Sequence, residues 1–240
     1  EKKLIKAKKN KKLPKLLITV HFAGQAPDQK KIFELSKKYN FNIIEDASHS
    51  LGGFRDNEPI GSCRWSDIVI SSFHPVKTIT TGEGGIAITN KKKFCDKLKI
   101  FRNNGIVRDY NKLKKRDKNM FYYEQQFLGH NFHMSDINAA LGISQLKRIK
   151  QFIKKREKIF SFYNKNLDQK KLILPKIDKS NTSTHHLYVV NLKKNIDRNK
   201  VFFNMNKKNI ALNVHYIPIH FHPFYQDMGF RKGNFPNSEW

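Results

Sequence analysis

The chain has 240 residues and 38% hydrophobic content, enough to bury a core in one or two domains. Lysine and arginine total 47 against 20 acids, a net charge of +27. That excess is scattered along the chain instead of forming an arm, arginine is scarce beside lysine, and no nucleic-acid-binding signature occurs, so the charge reads as a solvated surface and not as a site for nucleic acid. Cys63 and Cys95 are far apart and lack CxxC or metal-ligand spacing, so neither a disulfide framework nor a zinc site is implied, and a reducing cytoplasm fits.

The opening "EKKLIKAKKNKKLPKLLITVHFAG" has no signal-peptide pattern and no run long enough to span a membrane, so no membrane partner is expected. Within it, "KLLITVHFAG" reads as a nearly all-apolar strand. "PDQKKIFELSKKYN" follows as a helix with Pro27 at its start and Ile32, Phe33, Leu35 and Tyr39 on one face. "FNIIEDAS" is a second buried-type strand that ends in acids. Strand, helix and strand at this spacing make a βαβ unit, and hence a parallel sheet covered by helices. "SDIVISSF" and "GEGGIAITN" add two strands, and "KKKFCDKLKIFRNNG" reads as a helix closed by Gly105. Residues 106–134 are irregular and carry the aromatic cluster "MFYYEQQF", long for a plain connection. The stretch from Ser135, a good N-cap, to Leu167 is expected as one long amphipathic helix. Beyond Leu172, "HHLYVVNL", a helix over "DRNKVFFNMNKKN" and "IALNVHYIPI" suit a small α+β domain. Both ends look cut.

Ligands of open parallel sheets gather beyond the carboxyl ends of the strands. "EDASHS" (45–50) and "SSFHPVK" (71–77) are two such ends, and together they hold the carboxylate of Asp46, the imidazole of His49, the hydroxyls of Ser71 and Ser72 and the amine of Lys77. Taken singly, such an Asp is as often a helix cap, such a Lys is usually solvated, and a Gly-Glu-Gly-Gly turn is mostly a tight connection. Together and in this order they match the needs of pyridoxal phosphate. It requires an amine to bind its aldehyde, a carboxylate to keep its ring nitrogen protonated, and hydroxyls or backbone N–H groups for its phosphate.

"EDASHSLGG" followed by "SSFHPVKTITTGEGG" closely resembles the DegT/DnrJ-type sugar aminotransferases, fold-type I pyridoxal-phosphate enzymes. The likeness continues through "RNNGIVRD", "YYEQQFLGHNFHMSDINAALGISQLKRI", "HHLYVV" and "VHYIPIHFHPFYQDMGF", covering nearly the whole chain. It implies an α/β fold like that of aspartate aminotransferase, with a mostly parallel central sheet, helices on both faces and a smaller α+β C-terminal domain. Residues 1–145 would be the C-terminal portion of the large cofactor-binding domain, and residues 146–240 the connecting helix and an incomplete small domain.

By the same resemblance Lys77 would hold pyridoxal phosphate and shuttle the proton, and Asp46 would pair with its ring nitrogen. His49, one helical turn after Asp46, would lie near its phenolic oxygen, and Ser72 would bond its phosphate. Asn131 would reach the phosphate in the neighbouring subunit of a homodimer, while His215 and Tyr216 would line the nucleotide-sugar site. No metal is implied. The implied reaction takes the amino group of L-glutamate to the 4-keto carbon of a UDP-linked 6-deoxy-N-acetylhexosulose, on the route to pseudaminic acid. Another 4-keto-sugar, as in perosamine or viosamine synthesis, is the alternative within the family, as is an inactive fragment. The family usually reads Asn-Tyr-Arg-Met where this chain has Asn131-Phe132-His133-Met134, which replaces a permanent charge with a mostly neutral ring. The chain is also expected to be a piece, without the family's Gly-Thr/Ser-Ala phosphate turn, its stacking aromatic and the end of the small domain.

Overall fold

A computed structural model describes residues 1–115, 117 and 119–239. A short basic helix, α1 (Lys2–Lys9), precedes β1 (Leu16–Val20), α2 (Gln29–Tyr39) and β2 (Asn42–Asp46). A small hairpin, β3 (Phe54–Arg55) and β4 (Glu58–Pro59), leads to β5 (Ile68–Ser72) and β6 (Gly85–Ile88). The strands β1, β2, β5 and β6 form one sheet in that order, with β1, β2 and β5 parallel and β6 antiparallel to β5. The fold is α/β, and the expected βαβ unit is β1–α2–β2. Pro27 does not itself open α2. Asp28 is the N-cap, its side chain accepting from the Lys31 backbone N–H at 3.1 Å, and Pro27 stands just before it.

Strand alternation divides the sheet into two unlike faces. The register pairs Leu17 with Ile43 and Thr19 with Glu45, and Glu45 in turn with Val69. This face is covered. One cluster joins Tyr39, Phe41 and Ile43 to Leu4, Leu13, Leu17 and the α2 side chains Ile32, Phe33 and Leu35, the apolar face read from the sequence. A second joins Ala26, Ala47, Ile60, Cys63 and Val69, with Ile88 against it. The opposite face carries Leu16, Ile18, Val20 and Ile70, all substantially exposed. Among the described residues, helices therefore cover one side of the sheet.

After β6, α3 (Lys92–Arg102) ends at Asn103, and Gly105 follows with φ +73° while its N–H returns to Ile100 O at 2.9 Å. The stretch 106–134 contains the short antiparallel pair β7 (Ile106–Val107) and β8 (Glu124–Gln125). The expected single long helix is two, α4 (Asp136–Leu146) and α5 (Ile149–Asn166), parted at Lys147 and Arg148. There the ladder tightens, Arg148 N reaching Gln145 O at 3.0 Å and Gln151 N reaching Arg148 O at 2.9 Å. Ser135 caps α4 as anticipated, accepting from Asn138 N at 3.3 Å.

The chain forms two compact units, Glu1–Gln169 with Leu174–Asn191, and Lys170–Ile173 with Leu192–Trp240. In the second, α6 (Arg198–Lys207) is capped by Asp197, and the Glu239 carboxylate gathers His220, Gly233 N and Phe235 N within 3.2 Å. The run "IALNVHYIPI" forms no ladder among the described residues. Ile210, Leu212, Tyr216 and Ile217 in it are exposed, so no partner strand supplies the burial that would hold it in a sheet. No helix is long and apolar enough to cross a membrane among the described residues, and none of their His, Cys, Asp and Glu side chains cluster as a metal site.

Candidate active site

The carboxyl ends of β2 and β5 are neighbours in the sheet, Asp46 lying opposite Ile70. Ser72 is two residues beyond Ile70, so strand alternation places Asp46 and Ser72 on the same face, the one helices leave open. Both are half-buried. Asp46 Oδ1 accepts from Ser48 N at 3.0 Å and so starts the turn after β2. Its Oδ2 makes no hydrogen bond among the described residues. Ala47 N continues the ladder to Ile70 O at 2.8 Å, which fixes where the turn leaves the sheet.

Lys77, also half-buried, lies in the loop from β5 to β6. That loop is a closed unit. Phe73 N donates to Gly84 O at 2.8 Å, Thr81 N to Phe73 O at 3.0 Å, and Lys77 N to His74 O at 2.9 Å. Ser72 Oγ accepts from His74 N at 3.2 Å. The Thr81 hydroxyl donates to Glu83 O at 2.7 Å, and the Asn138 amide of α4 reaches the same carbonyl at 3.3 Å. Gly142 of α4 makes the approach possible, since a Cβ there would lie 2.7 Å from Thr81 Cγ2. Thr78 Oγ1, beside Lys77, is buried without a hydrogen-bond partner.

His49 sits in the turn after Asp46. Its Nδ1 accepts from Ala23 N at 3.3 Å, and its ring lies 4.3 Å from that of His186 and 6.3 Å from that of Phe22. The Thr184 hydroxyl donates to His49 O. Residues 183–186, far downstream in sequence, thus pack against this turn. Ser183 Oγ and Thr184 N both donate to Gly24 O, and His186 N donates to Ala23 O at 3.1 Å. Gly24 has φ +104°, and a Cβ on it would fall 2.5 Å from Thr184 Oγ1, so only glycine fits. Burial pushes the neighbouring His185 imidazole below its ordinary value.

Asp46, His49, Ser72 and Lys77 therefore share the carboxyl edge of one sheet. Asn131 is elsewhere in the same unit, exposed and bridged to Asn103 beyond the end of α3. His215 and Tyr216 belong to the second unit, with ring centroids 4.6 Å apart. Sequence reasoning missed His186 and Thr184 as neighbours of His49, because their signal is tertiary. It also missed the buried His21, Glu45 and Ser50 behind Asp46, although "VHFAG" placed a histidine at the end of an apolar strand. Two surface hollows of about 230 and 160 Å³ are lined by other residues, among them Asp96, Lys99 and Arg108 in the first and Phe33, Asp67 and Lys91 in the second.

The sheet's carboxyl edge thus gathers a carboxylate, an imidazole, a hydroxyl and an amine from the two segments that follow β2 and β5. The chain belongs to the DegT/DnrJ/EryC1/StrS aminotransferase family, which it matches over residues 2–240. It is 38% identical over 231 residues to an uncharacterized protein of Methanocaldococcus jannaschii, covering 94% of this chain and 59% of that protein. It is 35% identical over 212 residues to the UDP-4-amino-4,6-dideoxy-N-acetyl-beta-L-altrosamine transaminase of Campylobacter jejuni, covering 87% of this chain and 54% of the relative. Among solved structures it resembles Helicobacter pylori PseC, an aminotransferase involved in the biosynthesis of pseudoaminic acid, at 30% identity and a TM-score of 0.76. That likeness covers 88% of this chain and 55% of PseC. The chain spans somewhat over half the length of these relatives.

Proposed function

We propose that this chain belongs to a working pyridoxal-phosphate-dependent aminotransferase that moves the amino group of L-glutamate to the 4-keto carbon of a UDP-linked 6-deoxy-N-acetylhexosulose. One observation carries the reading. Asp46 and Ser72 sit on one face at the sheet's carboxyl edge, with Lys77 five residues beyond Ser72 in a loop tied down at both ends.

The donor set fits the cofactor. Asp46 keeps one carboxylate oxygen uncommitted for a protonated ring nitrogen, and Ser72 and the loop's N–H groups suit a phosphate. When bound, pyridoxal phosphate supplies a carbonyl for the amine and a ring that takes up charge from the reacting carbon. The protein's part is then orientation and proton movement. Lys77 Nζ is the amine that would hold the cofactor between turnovers, and once released it would serve as both general acid and general base at the substrate carbon. Asp46 would maintain the ring charge, and His49, braced by Ala23 N and the His186 ring, would help to orient the ring.

The choice of sugar is supported by the named Campylobacter and Helicobacter relatives. As in the family, we assign Asn131 to the phosphate of a neighbouring subunit in a homodimer and His215 and Tyr216 to the nucleotide-sugar side. Residues 1–145 are read as cofactor-binding and 146–240 as connecting helix and small domain, in an enzyme working in the cytoplasm.

The test is borohydride reduction of the protein, expressed from its own gene with pyridoxal phosphate, followed by peptide mass spectrometry. A pyridoxyl group on Lys77, absent from Lys77→Ala, is the expected result, and glutamate added before the borohydride should prevent it. No label, or label spread over the surface lysines, overturns the assignment.

A further inference from the structure

Behind the open face lies a buried polar chain that the proposed chemistry does not use. His21 continues β1 on the covered face and is 0% exposed, as is Ser50, and Glu45 is 2% exposed. His21 Nδ1 lies 2.8 Å from Ser50 Oγ, and Nε2 lies 3.2 Å from Glu45 Oε2, an ion-pair distance without hydrogen-bond alignment. The Gln29 amide donates to the same Glu45 oxygen. The His21 backbone N–H donates to Asp46 O at 3.0 Å. Ser50 closes the circuit, its N–H 2.9 Å and its hydroxyl 3.4 Å from Ala47 O.

A serine, a histidine and a glutamate in line also describe a nucleophilic hydrolase site. Full burial of both Ser50 and His21 rules that out here, since no substrate carbonyl can reach the hydroxyl. The arrangement has a different consequence. Strand alternation sends Glu45 and Asp46 to opposite faces, so whatever holds Glu45 also sets the direction of Asp46. One residue, His21, touches this segment at three points: Glu45 by side chain, Asp46 by backbone and Ser50 by side chain. The segment contains Asp46 and His49, and the turn after His21 supplies the Ala23 N–H that His49 accepts.

We infer that His21 is a positioning residue, which with Glu45 and Ser50 locks segment 45–50 so that Asp46 and His49 are presented to the cofactor side of the sheet. The inference rests on the reading of those two residues as cofactor ligands. A histidine suits the task because its two ring nitrogens serve two partners at a fixed separation. A hydrophobe of similar size would leave the Glu45 carboxylate and Ser50 hydroxyl buried without it.

The test compares wild type with His21→Leu, His21→Asn and Ser50→Ala. Amide hydrogen exchange of the cofactor-free protein reads the brace directly. His21→Leu is expected to speed exchange in peptides covering 45–51 by about tenfold or more while β5 and α5 keep their protection, with His21→Asn in between. In the loaded protein, the pH midpoint of the bound chromophore's absorbance should shift in the same order. Ser50→Ala removes one partner only and keeps the test decisive if His21→Leu does not fold. Exchange unchanged at 45–51, or a lower melting temperature with an unmoved chromophore midpoint, overturns the inference and makes His21 a core filler. A wild-type protein that bound no cofactor would sink the functional reading, and exchange would still decide whether His21 holds this segment.

Discussion

At the scale of single residues, "IED" at 44–46 shows how two adjacent acids acquire opposite jobs. Glu45 faces the covered side and is spent on His21 and Gln29, while Asp46 faces the open side with one oxygen uncommitted. Order matters here, because a strand reverses direction at every residue. Glu124 is a third acid with a job, in the aromatic stretch after α3. Its carboxylate accepts from Lys114 N at 2.8 Å and Lys115 N at 2.7 Å, with Gln126 and Tyr122 as further donors. Those two backbone N–H bonds are the main reason its pKa falls from 4.5 to about 2. The folded loop therefore binds this proton less readily than the unfolded chain. The order Glu124 confers is fully present above pH 4.5 and is lost as the pH falls through about 2. Amide NMR of Lys114 and Lys115 should titrate with a midpoint near 2, and a midpoint near 4.5 would show that the two bonds do not form in solution.

At the scale of elements, the end of α3 decides where Asn131 stands. The last carbonyls of a helix lack intrahelical donors, and here a segment far downstream supplies them. His130 N donates to Phe101 O at 2.8 Å and Phe132 N to Arg102 O at 3.0 Å, so Asn131 is held between two anchored neighbours. Gly105 makes this docking possible, because a Cβ there would fall 1.8 Å from Phe127 O, a backbone atom that cannot turn aside. Gly105→Ala should cost about 2–4 kcal/mol in urea denaturation, combining strain at φ +73° with a lost contact. A loss below about 0.5 kcal/mol, the scale of an ordinary surface change, would mean that the docking is loose. The sequence made α2, the four sheet strands, the Ser135 cap and the Asp46 and Lys77 loops legible, because each rests on local periodicity or on a contiguous motif. It did not show the break at Lys147 and Arg148, where no proline or glycine marks it. Nor did it show residues 183–186 against His49, a contact between segments 135 residues apart that only tertiary packing creates.

At the scale of the whole molecule, two opposing forces act on one surface. The uncovered sheet face presents Ile18 at 57% and Val20 at 54% exposure, with Leu16 and Ile70 beside them, and among the described residues β1 is an edge strand with one side unpaired. Contiguous apolar surface of this kind draws chains together, and an open edge offers a backbone template for doing so. Against it stands a net charge of +27, which makes every pair of chains repel. Repulsion reaches as far as the Debye length, about 30 Å at 0.01 M salt and about 3 Å at 1 M, whereas apolar attraction is not screened. The 240-residue chain alone should therefore stay dispersed in low salt and associate as salt rises, with light scattering increasing between about 0.01 M and 1 M sodium chloride. Ile18→Lys adds charge and removes apolar surface at the centre of the patch, so it should move the onset to higher salt. Scattering that fell with added salt would identify ionic contacts as the cause of association, and an onset unmoved by Ile18→Lys would place the adhesive surface elsewhere than on this sheet.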